Sequence, residues 1–436
     1  MAVWRGTSLA RASLRTKSSR VPWLLLFCWT QATLWLCRWL KFWVQKPLMR
    51  LGIGSATDED DPEKEEENIP PVQQDSQQQD VALPCGLVNN GNLCFVNAVL
   101  QCLAAVPAFL NTVERALRMR TQLHVVRQAD DTQVQKLLVA EALVSLLRGI
   151  SPDFERQELE TEVETGHTPA QPERSDEEER QQFLQSEKWF LKKLKSYDPN
   201  DPRSYMHAVA KLGEVRWSYF LRQNASVVTD LFSGQTVRGS QCCSCASLTC
   251  LHEEQRIISL AIASGKGDQT LAECLEHFRH PEQLTGDNRV YCDGYCQAKT
   301  SRLTQILLQR IPPVLVLRLQ RFKHTSLGGQ TEKVDTPVNF PCGSNELLDI
   351  TMNAFFRDDE EGEKFELVAV CAHLGVSIDS GHYVAYVRHH DSLRDTGTSS
   401  LWLRIDDDVV AIVDEATLRS ETLTTAYLLF YSQVQR

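Results

Sequence analysis

A cysteine within residues 89–101 has the sequence setting of a catalytic nucleophile. Gly91 precedes it, and the apolar residues that follow recur at helical intervals, which predicts that Cys94 lies in a first helical turn. The N–H groups of a first turn have no partners within the helix, and together with the helix dipole they favour a thiolate. Most cysteines are instead buried and unreactive. A catalytic interpretation of Cys94 therefore needs a base elsewhere in the chain.

His382 is the strongest candidate for that base. It follows Gly381 and precedes a strand-like run, so it lies at the start of a strand beside a loop, where a ligand can reach it. Further along, an acidic triplet at 406–408 directly follows another strand-like run. A carboxylate of Asp406 or Asp407 on a neighbouring strand could orient His382 and fix its tautomer. Taken alone, the histidine is typical of a structural residue and the triplet of a solvated turn.

The elements that must position these residues fall into two halves of the chain. Apolar residues recur at helical spacing in 137–147 and again in 189–194. Beyond residue 227 the sequence changes to short apolar and β-branched runs separated by Gly, Asn, Asp and Pro. The runs that predict strands most clearly are 314–319, 365–370, 382–387 and 426–431. This order predicts an α+β fold, with a helical lobe beside a mainly antiparallel sheet and an active site in the groove between them.

Charge is unevenly distributed over the 436 residues. The first 50 contain nine Lys and Arg and no Asp or Glu, and the rest carry 37 basic and 57 acidic residues. Such an acidic body argues against nucleic acid as a partner and favours a basic protein surface. The 14 cysteines lack the regular spacing of a disulfide scaffold. They favour a metal site or a catalytic thiol in a reducing compartment.

The N-terminal sequence predicts attachment to a membrane. Residues 1–20 are rich in Arg, Ser and Thr and contain no acid, like a mitochondrial targeting sequence. Residues 21–43 are largely apolar, with tryptophans every four residues near the end and flanking cations. At about 1.5 Å per helical residue, this run nearly spans a hydrocarbon core of about 30 Å. A single transmembrane or interfacial anchor is preferred, and a cleaved signal or transit peptide is the alternative.

Two polar segments have too few apolar residues to form a core. Residues 44–83 are acidic and Gln-rich, which predicts a solvated tether between the anchor and a domain at 84–436. A second acidic segment, about 155–185, interrupts helical sequence and predicts an exposed insertion within the helical lobe.

Several motifs in order resemble those of the ubiquitin-specific proteases, the papain-like deubiquitinases. They are the cysteine segment 89–101, the start of the fingers at 230–234, the central strand at 313–322, the loop at 373–375, the Gly-His-Tyr strand at 381–383 and the acidic triplet. The resemblance covers about residues 84–433. It implies a papain-like cysteine protease with a helical thumb, a β-sheet palm and β fingers at about 226–310, which together grasp ubiquitin.

The resemblance also assigns a role to each candidate residue. It makes Cys94 the nucleophile, His382 the general base and later acid, and Asp406 the group that orients His382, with Asp407 as a rival for that place. Asn89 matches the family's oxyanion-hole donor. The implied reaction is attack of the thiol on the C-terminal glycine carbonyl of ubiquitin, release of a lysine amine, and hydrolysis of the acyl-enzyme.

The resemblance further suggests a structural zinc ion at the fingertips. Cys242 and Cys245 form one cysteine pair, in which Cys243 could replace Cys242, and Cys292 and Cys296 form the other. Four thiolates would close a tetrahedral site. The second pair has a spacing of three intervening residues, wider than usual, and a metal-free finger is the alternative.

The function that the resemblance implies is a membrane-tethered deubiquitinase whose partners are ubiquitin and ubiquitinated proteins. It needs no cofactor for catalysis. Within the family, the sequence looks most similar to the member held in the mitochondrial outer membrane, with the endoplasmic reticulum as the alternative location and the catalytic domain in the cytosol. A protease for a ubiquitin-like modifier and an inactive ubiquitin-binding scaffold are the alternative functions.

Overall fold

Helices come first along the chain in the computed structural model, which describes residues 83–89, 91–126, 131–151, 176–195, 201–263, 267–324, 331–343, 345–355, 363–377, 380–389 and 401–434. They are α1 (Cys94–Ala104), α2 (Pro107–Val126), α3 (Asp131–Ile150), α4 (Asp176–Lys195), α5 (Pro202–Asn224) and α6 (Val227–Phe232). Asp201 accepts a hydrogen bond from the Ser204 N–H at the start of α5, and Ser226 accepts one from the Thr229 N–H at the start of α6. These caps satisfy N–H groups that have no partner within the helix.

Strands dominate the described residues after α6, with two more α-helices among them. The strands are β1 (Gly234–Cys242), β2 (Leu248–Gln255), β3 (Ile258–Ala261), β4 (Gln269–Thr270), β5 (Glu282–Leu284), β6 (Val290–Cys292), β7 (Ala298–Thr300), β8 (Arg302–Arg310), β9 (Val314–Gln320), β10 (Phe322–His324), β11 (Thr331–Lys333), β12 (Val338–Asn339), β13 (Leu348–Asp349), β14 (Lys364–Leu374), β15 (His382–His389), β16 (Leu401–Asp406), β17 (Val409–Val413) and β18 (Ala426–Gln433). The helices are α7 (Leu271–Arg279) and α8 (Glu415–Thr422).

The largest sheet among the described strands corresponds to the predicted palm. Its order is β17-β16-β15-β14-β18-β9-β3, with β13 beside β14. Neighbouring strands are antiparallel except for the parallel pair β3 and β9. Helix α1 packs on β14, β15 and β16. The sheet therefore brings the starts and ends of several strands close to the helix that begins at Cys94.

The two faces of this sheet pack into different cores. Successive side chains of a strand point to opposite faces. On β16, Leu403 and Ile405 belong to a buried cluster that includes Ala98 of α1. Trp402 belongs to another cluster, which includes Leu275 of α7. One face of the sheet is thus covered by the thumb helices, and the other face has its own hydrophobic core.

A separate four-stranded sheet corresponds to the predicted fingers. Its order is β2-β1-β8-β5, and the β6–β7 hairpin lies between β5 and β8 along the chain. Val209 and Leu212 of α5 share a buried cluster with Val237 of β1 and Leu307 of β8. This cluster attaches the base of the fingers to the helical lobe.

The α+β order and the clearest predicted strands are confirmed, since those runs fall within β9, β14, β15 and β18. The expected insertion is shorter at its end than predicted, because residues 176–185 belong to α4. They are mostly strong helix formers, and Phe183 stacks on Tyr219 of α5 with ring centroids 4.1 Å apart. Residues 152–175 lie outside the described part of the chain. Within the residues expected to form the fingers, β3 pairs with β9 and joins the palm sheet instead.

The predicted basic segment, membrane anchor and nearly all of the tether, residues 1–82, lie outside the described residues. Within the described part, no helix is by itself long and apolar enough to cross a membrane. The pair formed by α1 and the first part of α2 meets that test of length and composition jointly, with a bend of 85° between them.

Candidate active site

Cys94 is the first residue of α1, as its sequence setting predicts. Gly91 has a φ of 110°, a value that favours glycine, and the chain turns there into the helix. Leu93 occupies the N-cap position without a side-chain hydrogen bond, and its carbonyl accepts from the Asn97 N–H at 2.8 Å. The half-buried Cys94 therefore lies where first-turn N–H groups and the helix dipole favour a negative charge.

His382 and Asp406 meet at the ends of two adjacent strands. His382 begins β15 and Asp406 ends β16, and these strands pair in antiparallel register. The Nε2 atom of His382 is 2.5 Å from Oδ1 of Asp406. This contact leaves Nδ1 as the ring nitrogen that could serve the thiol of Cys94. His382 keeps about a third of its side chain exposed, at 36%.

The other oxygen of Asp406 has a partner of its own. Arg404, two residues earlier on β16, donates from its guanidinium to Oδ2 of Asp406 at 2.8 Å. Both oxygens of the carboxylate are therefore engaged, one with His382 and one with Arg404. Sequence analysis did not identify Arg404, although its position two residues from Asp406 places both side chains on the same face of the strand.

Asp407 contacts different residues. Its Oδ2 atom is 3.9 Å from Nε2 of His382, beyond hydrogen-bond distance. The carboxylate instead accepts from the side-chain amides of Asn89 at 3.0 Å and Asn97 at 2.8 Å. Asp407 has a φ of 52°, so the chain turns sharply between the two adjacent aspartates.

The segment before Cys94 is held against this turn by its backbone. The Leu87 N–H donates to the Asp407 carbonyl at 2.8 Å, and the Asn97 amide also donates to the Leu87 carbonyl at 3.1 Å. A Cβ atom on Gly86 would come within 2.5 Å of the Asp407 carbonyl oxygen, so this close approach requires glycine. Sequence analysis missed Gly86 and Asn97. The position of Asn97, one helical turn after Cys94, was the available signal.

The Asn89 side chain is fixed by two hydrogen bonds. Its oxygen accepts from the Leu93 N–H at 3.1 Å, and its NH₂ group donates to Asp407. The accepted bond identifies the oxygen end of the amide, so the NH₂ group faces the turn. One N–H of that group remains for another acceptor, which is the property that an oxyanion donor needs.

A buried histidine supports the strand that begins at His382. His373 on β14 is fully buried, and its ring makes an edge contact with Tyr383 at 4.7 Å between centroids. A Cβ atom on Gly381 would overlap the ring of His373. Burial, followed by the charge of Lys333, lowers the pKa of His373. A neutral ring packed against glycine thus fixes the backbone immediately before His382.

The four cysteines predicted to bind zinc lie together at the end of the fingers. Their sulfur atoms are within 4.8 Å of one another. The Cys242 and Cys296 sulfurs are 3.9 Å apart, and those of Cys245 and Cys292 are 3.6 Å apart. Sulfurs bound to one tetrahedral zinc ion at about 2.3 Å are separated by roughly 3.8 Å. The donor set and its spacing fit a closed structural zinc site.

Electrostatics within the cluster also favour a cation. A hydrogen bond with the Ser247 hydroxyl is the main cause that lowers the pKa of Cys245 to about 5. Interactions with Cys245, followed by burial and Cys242, raise the pKa of Cys296 to about 12. Four thiolates cannot coexist at this distance without a positive charge, and a bound metal ion would supply it.

The wide spacing of the second cysteine pair has a local explanation. Gln297 has a φ of 49°, and its side-chain amide donates to the carbonyls of Asp293 at 2.9 Å and Gly294 at 2.8 Å. These bonds close the longer knuckle so that Cys296 reaches the cluster. Cys243 is exposed and outside the group, so Cys242 is the residue that the fold provides.

The chain has a helical lobe on a mainly antiparallel sheet, with a cysteine at a helix start and a histidine–aspartate pair on adjacent strands, which are the residue types that cysteine peptidases use. Residues 85–431 match the family model described as "Ubiquitin carboxyl-terminal hydrolase". The chain belongs to this family of cysteine peptidases.

Individual members of this family share only about a quarter of their residues with the chain over the matched length. "Ubiquitin carboxyl-terminal hydrolase 20" of Arabidopsis thaliana is 26% identical over 352 residues, covering 80% of this chain and 43% of the relative. "Ubiquitin carboxyl-terminal hydrolase 2" of Homo sapiens is 27% identical over 356 residues, covering 79% of this chain and 54% of the relative. The chain thus spans about half the length of the curated relatives it matches.

Among solved structures, a chain of the yeast SAGA DUBm superposes with a TM-score of 0.50 and 22% identity. The match covers 80% of this chain and 68% of the other. A likeness at this identity shows a common fold, in agreement with the expected catalytic domain.

Proposed function

We propose that the chain is a deubiquitinating thiol hydrolase that cleaves isopeptide bonds after the C-terminal glycine of ubiquitin. The observation that carries this proposal is the contact of His382 with Asp406, on strands against which the helix of Cys94 packs. This arrangement lies within the part of the chain that matches the family model. Ubiquitin and ubiquitinated proteins are the proposed partners.

In the proposed reaction, the Cys94 sulfur attacks the glycine carbonyl while His382 takes up the thiol proton. The C–N bond then breaks, and His382 gives the proton to the departing lysine amine. A water molecule, deprotonated by His382, hydrolyses the thioester and regenerates the thiol. Asp406 orients the imidazole and stabilises its protonated form. His382 and Asp406 both lie on strands of the palm sheet, which holds them in register.

We assign the oxyanion donor to the free N–H of Asn89. Its amide is turned in one direction by the Leu93 N–H and the Asp407 carboxylate. In this proposal Asp407 acts on Asn89, and Asp406 alone acts on His382. A donor that is already oriented stabilises the tetrahedral intermediate without a further ordering cost.

Turnover of ubiquitin bearing a fluorogenic amide at its C-terminus tests the proposed activity. Matched substrates made from ubiquitin-like modifiers should be hydrolysed far more slowly. Faster turnover of one of those modifier substrates would indicate that this modifier, and not ubiquitin, is the substrate. Binding of ubiquitin without turnover of any substrate would indicate an inactive scaffold.

We also propose that Cys242, Cys245, Cys292 and Cys296 bind one structural zinc ion. The separations of the four sulfur atoms support this. The ion would join two knuckles from different parts of the fingers and would take no part in catalysis, because four thiolates leave no open position.

We further propose that residues 21–43 tether the enzyme to the mitochondrial outer membrane, with the catalytic domain in the cytosol. The apolar run, its tryptophans and the basic residues before it support this proposal. A fluorescent fusion of residues 1–60 should colocalise with mitochondria. A signal at the endoplasmic reticulum would assign the anchor to that membrane instead, and a diffuse signal would reject the anchor.

A further inference from the structure

Arg404 belongs to a chain of polar contacts that ends at Asp406. Its guanidinium donates to Oδ2 of Asp406 at 2.8 Å, and its Nε atom is 3.6 Å from Oε2 of Glu421 on α8. The same oxygen of Glu421 accepts a hydrogen bond from the Tyr386 hydroxyl at 2.5 Å. Tyr386 on β15 is the direct cross-strand partner of Arg404. Two strands and a helix therefore hold the guanidinium in place.

Arg404 lies on the face of the palm sheet opposite the cluster that contains α1 residues. Side chains alternate along β16, so Arg404 shares a face with the buried Trp402. The intervening residues, Leu403 and Ile405, pack in the cluster that contains α1 residues. Arg404 can thus act on Asp406 from behind the site, without contact with the thiol.

A carboxylate that orients a histidine must itself be prevented from rotating. Its two oxygens are equivalent, and a carboxylate held through one oxygen can turn about the bond to Cβ. Arginine suits this task because its planar, permanently charged group donates in fixed directions. Here the two oxygens of Asp406 are divided between Arg404 and His382.

We propose that Arg404 is a positioning residue: by holding Oδ2 of Asp406, it fixes the carboxylate so that Oδ1 faces His382. The inference rests on the proposed function, because it takes Asp406 as the group that orients the catalytic histidine. Glu421 and Tyr386 complete the assembly by holding the guanidinium from its other side.

A double-mutant cycle between Arg404 and Asp406 tests this role in the full chain, with the fluorogenic ubiquitin amide as substrate. Arg404→Gln should lower kcat about tenfold and change KM less than about twofold. Arg404→Lys should recover part of the loss, because it keeps the charge without the planar fork. In an Asp406→Ala background, Arg404→Gln should change kcat less than about twofold, since no carboxylate remains to be positioned.

Arg419→Gln is the matched control. Arg419 lies on α8 and also pairs with two carboxylates, those of Glu346 and Glu415, away from the triad. The kcat of Arg419→Gln should stay within about twofold of the native value. The melting temperatures of all variants show whether each one is folded. If Arg404→Gln does not fold, the kcat of Arg404→Lys tests the positioning role in its place.

Three results would overturn the inference: native kcat in Arg404→Gln, an equal loss in the Asp406→Ala background, or an equal loss in Arg419→Gln. Turnover by the native chain with Arg404→Gln unaffected would reject this inference alone. An inactive native chain would reject the proposed function and this inference with it.

Discussion

At the scale of single residues, Asp406 and Asp407 are adjacent in the sequence but their carboxylates contact different groups. Asp406 ends a strand and faces His382, whereas Asp407 occupies a left-handed turn and faces Asn89 and Asn97. The positive φ at Asp407 separates the two side chains. One acidic turn can thereby support both the base and the oxyanion donor of the proposed reaction.

Replacement of Asn89 tests the second of these roles. Asn89→Ala should lower kcat about 100- to 1000-fold, because a preorganised oxyanion donor stabilises the transition state by roughly 3 to 4 kcal/mol. Binding of ubiquitin should change little, and steady-state kinetics with a separate binding assay would measure both. Full turnover in this variant would indicate that backbone N–H groups hold the oxyanion alone.

Sequence reasoning found the candidate residues whose chemical type is distinctive. Cys94, His382 and the acidic triplet could be identified from their neighbours and order. Asn97, Gly86 and Arg404 could not, because their roles depend on contacts across strands and loops that lie far apart in the sequence. Local sequence also left Asp406 and Asp407 equivalent, and the backbone turn distinguishes them.

At the scale of elements, long strands were predictable and short ones were not. The runs that became β9, β14, β15 and β18 are apolar because both faces of the palm sheet are covered. Strands β4 to β7 have only two or three residues each, too few to show a period. The β6–β7 hairpin depends on side-chain contacts around the cysteine cluster instead.

The fingertips should therefore lose order when the cysteine cluster is broken. Cys292→Ser removes a buried sulfur from the cluster and should abolish zinc binding, with a lower melting temperature. Cys243→Ser is the control, because Cys243 is exposed and outside the group. Metal analysis of the native chain should give one zinc ion per chain. Native protein without zinc, or equal losses in both variants, would contradict the site.

At the level of the whole molecule, a buried histidine joins the helical lobe to the fingers. His252 on β2 is buried, and its Nδ1 atom lies 3.1 Å from the Arg216 guanidinium of α5. Since arginine can only donate, Nδ1 is the acceptor and the ring is neutral. Burial, and then the charge of Arg216, lowers the pKa of His252 to about 4.

This histidine should make the fold less stable in mild acid. In the unfolded chain the pKa of a histidine is about 6.5. Below that pH the unfolded state therefore binds a proton that His252 does not bind in the folded state. The stabilisation of the fold that neutral His252 contributes is complete above pH 6.5 and is lost as the pH falls toward 4. At pH 5 the loss in the free energy of unfolding is about 2 kcal/mol. His252→Gln keeps an acceptor for Arg216 and should show a correspondingly smaller loss between pH 7 and pH 5. Denaturant unfolding measures this, and an equal loss in both proteins would contradict the assignment.

The proposed function requires that Cys94 is the nucleophile of a ubiquitin hydrolase. The most direct test is reaction of the full chain with ubiquitin that carries a thiol-reactive group at its C-terminus, followed by mass spectrometry of the modified peptide. We expect one adduct, on Cys94, that is absent from Cys94→Ala and persists in the Cys243→Ser control. An adduct on another cysteine, or an undiminished adduct in Cys94→Ala, would contradict it.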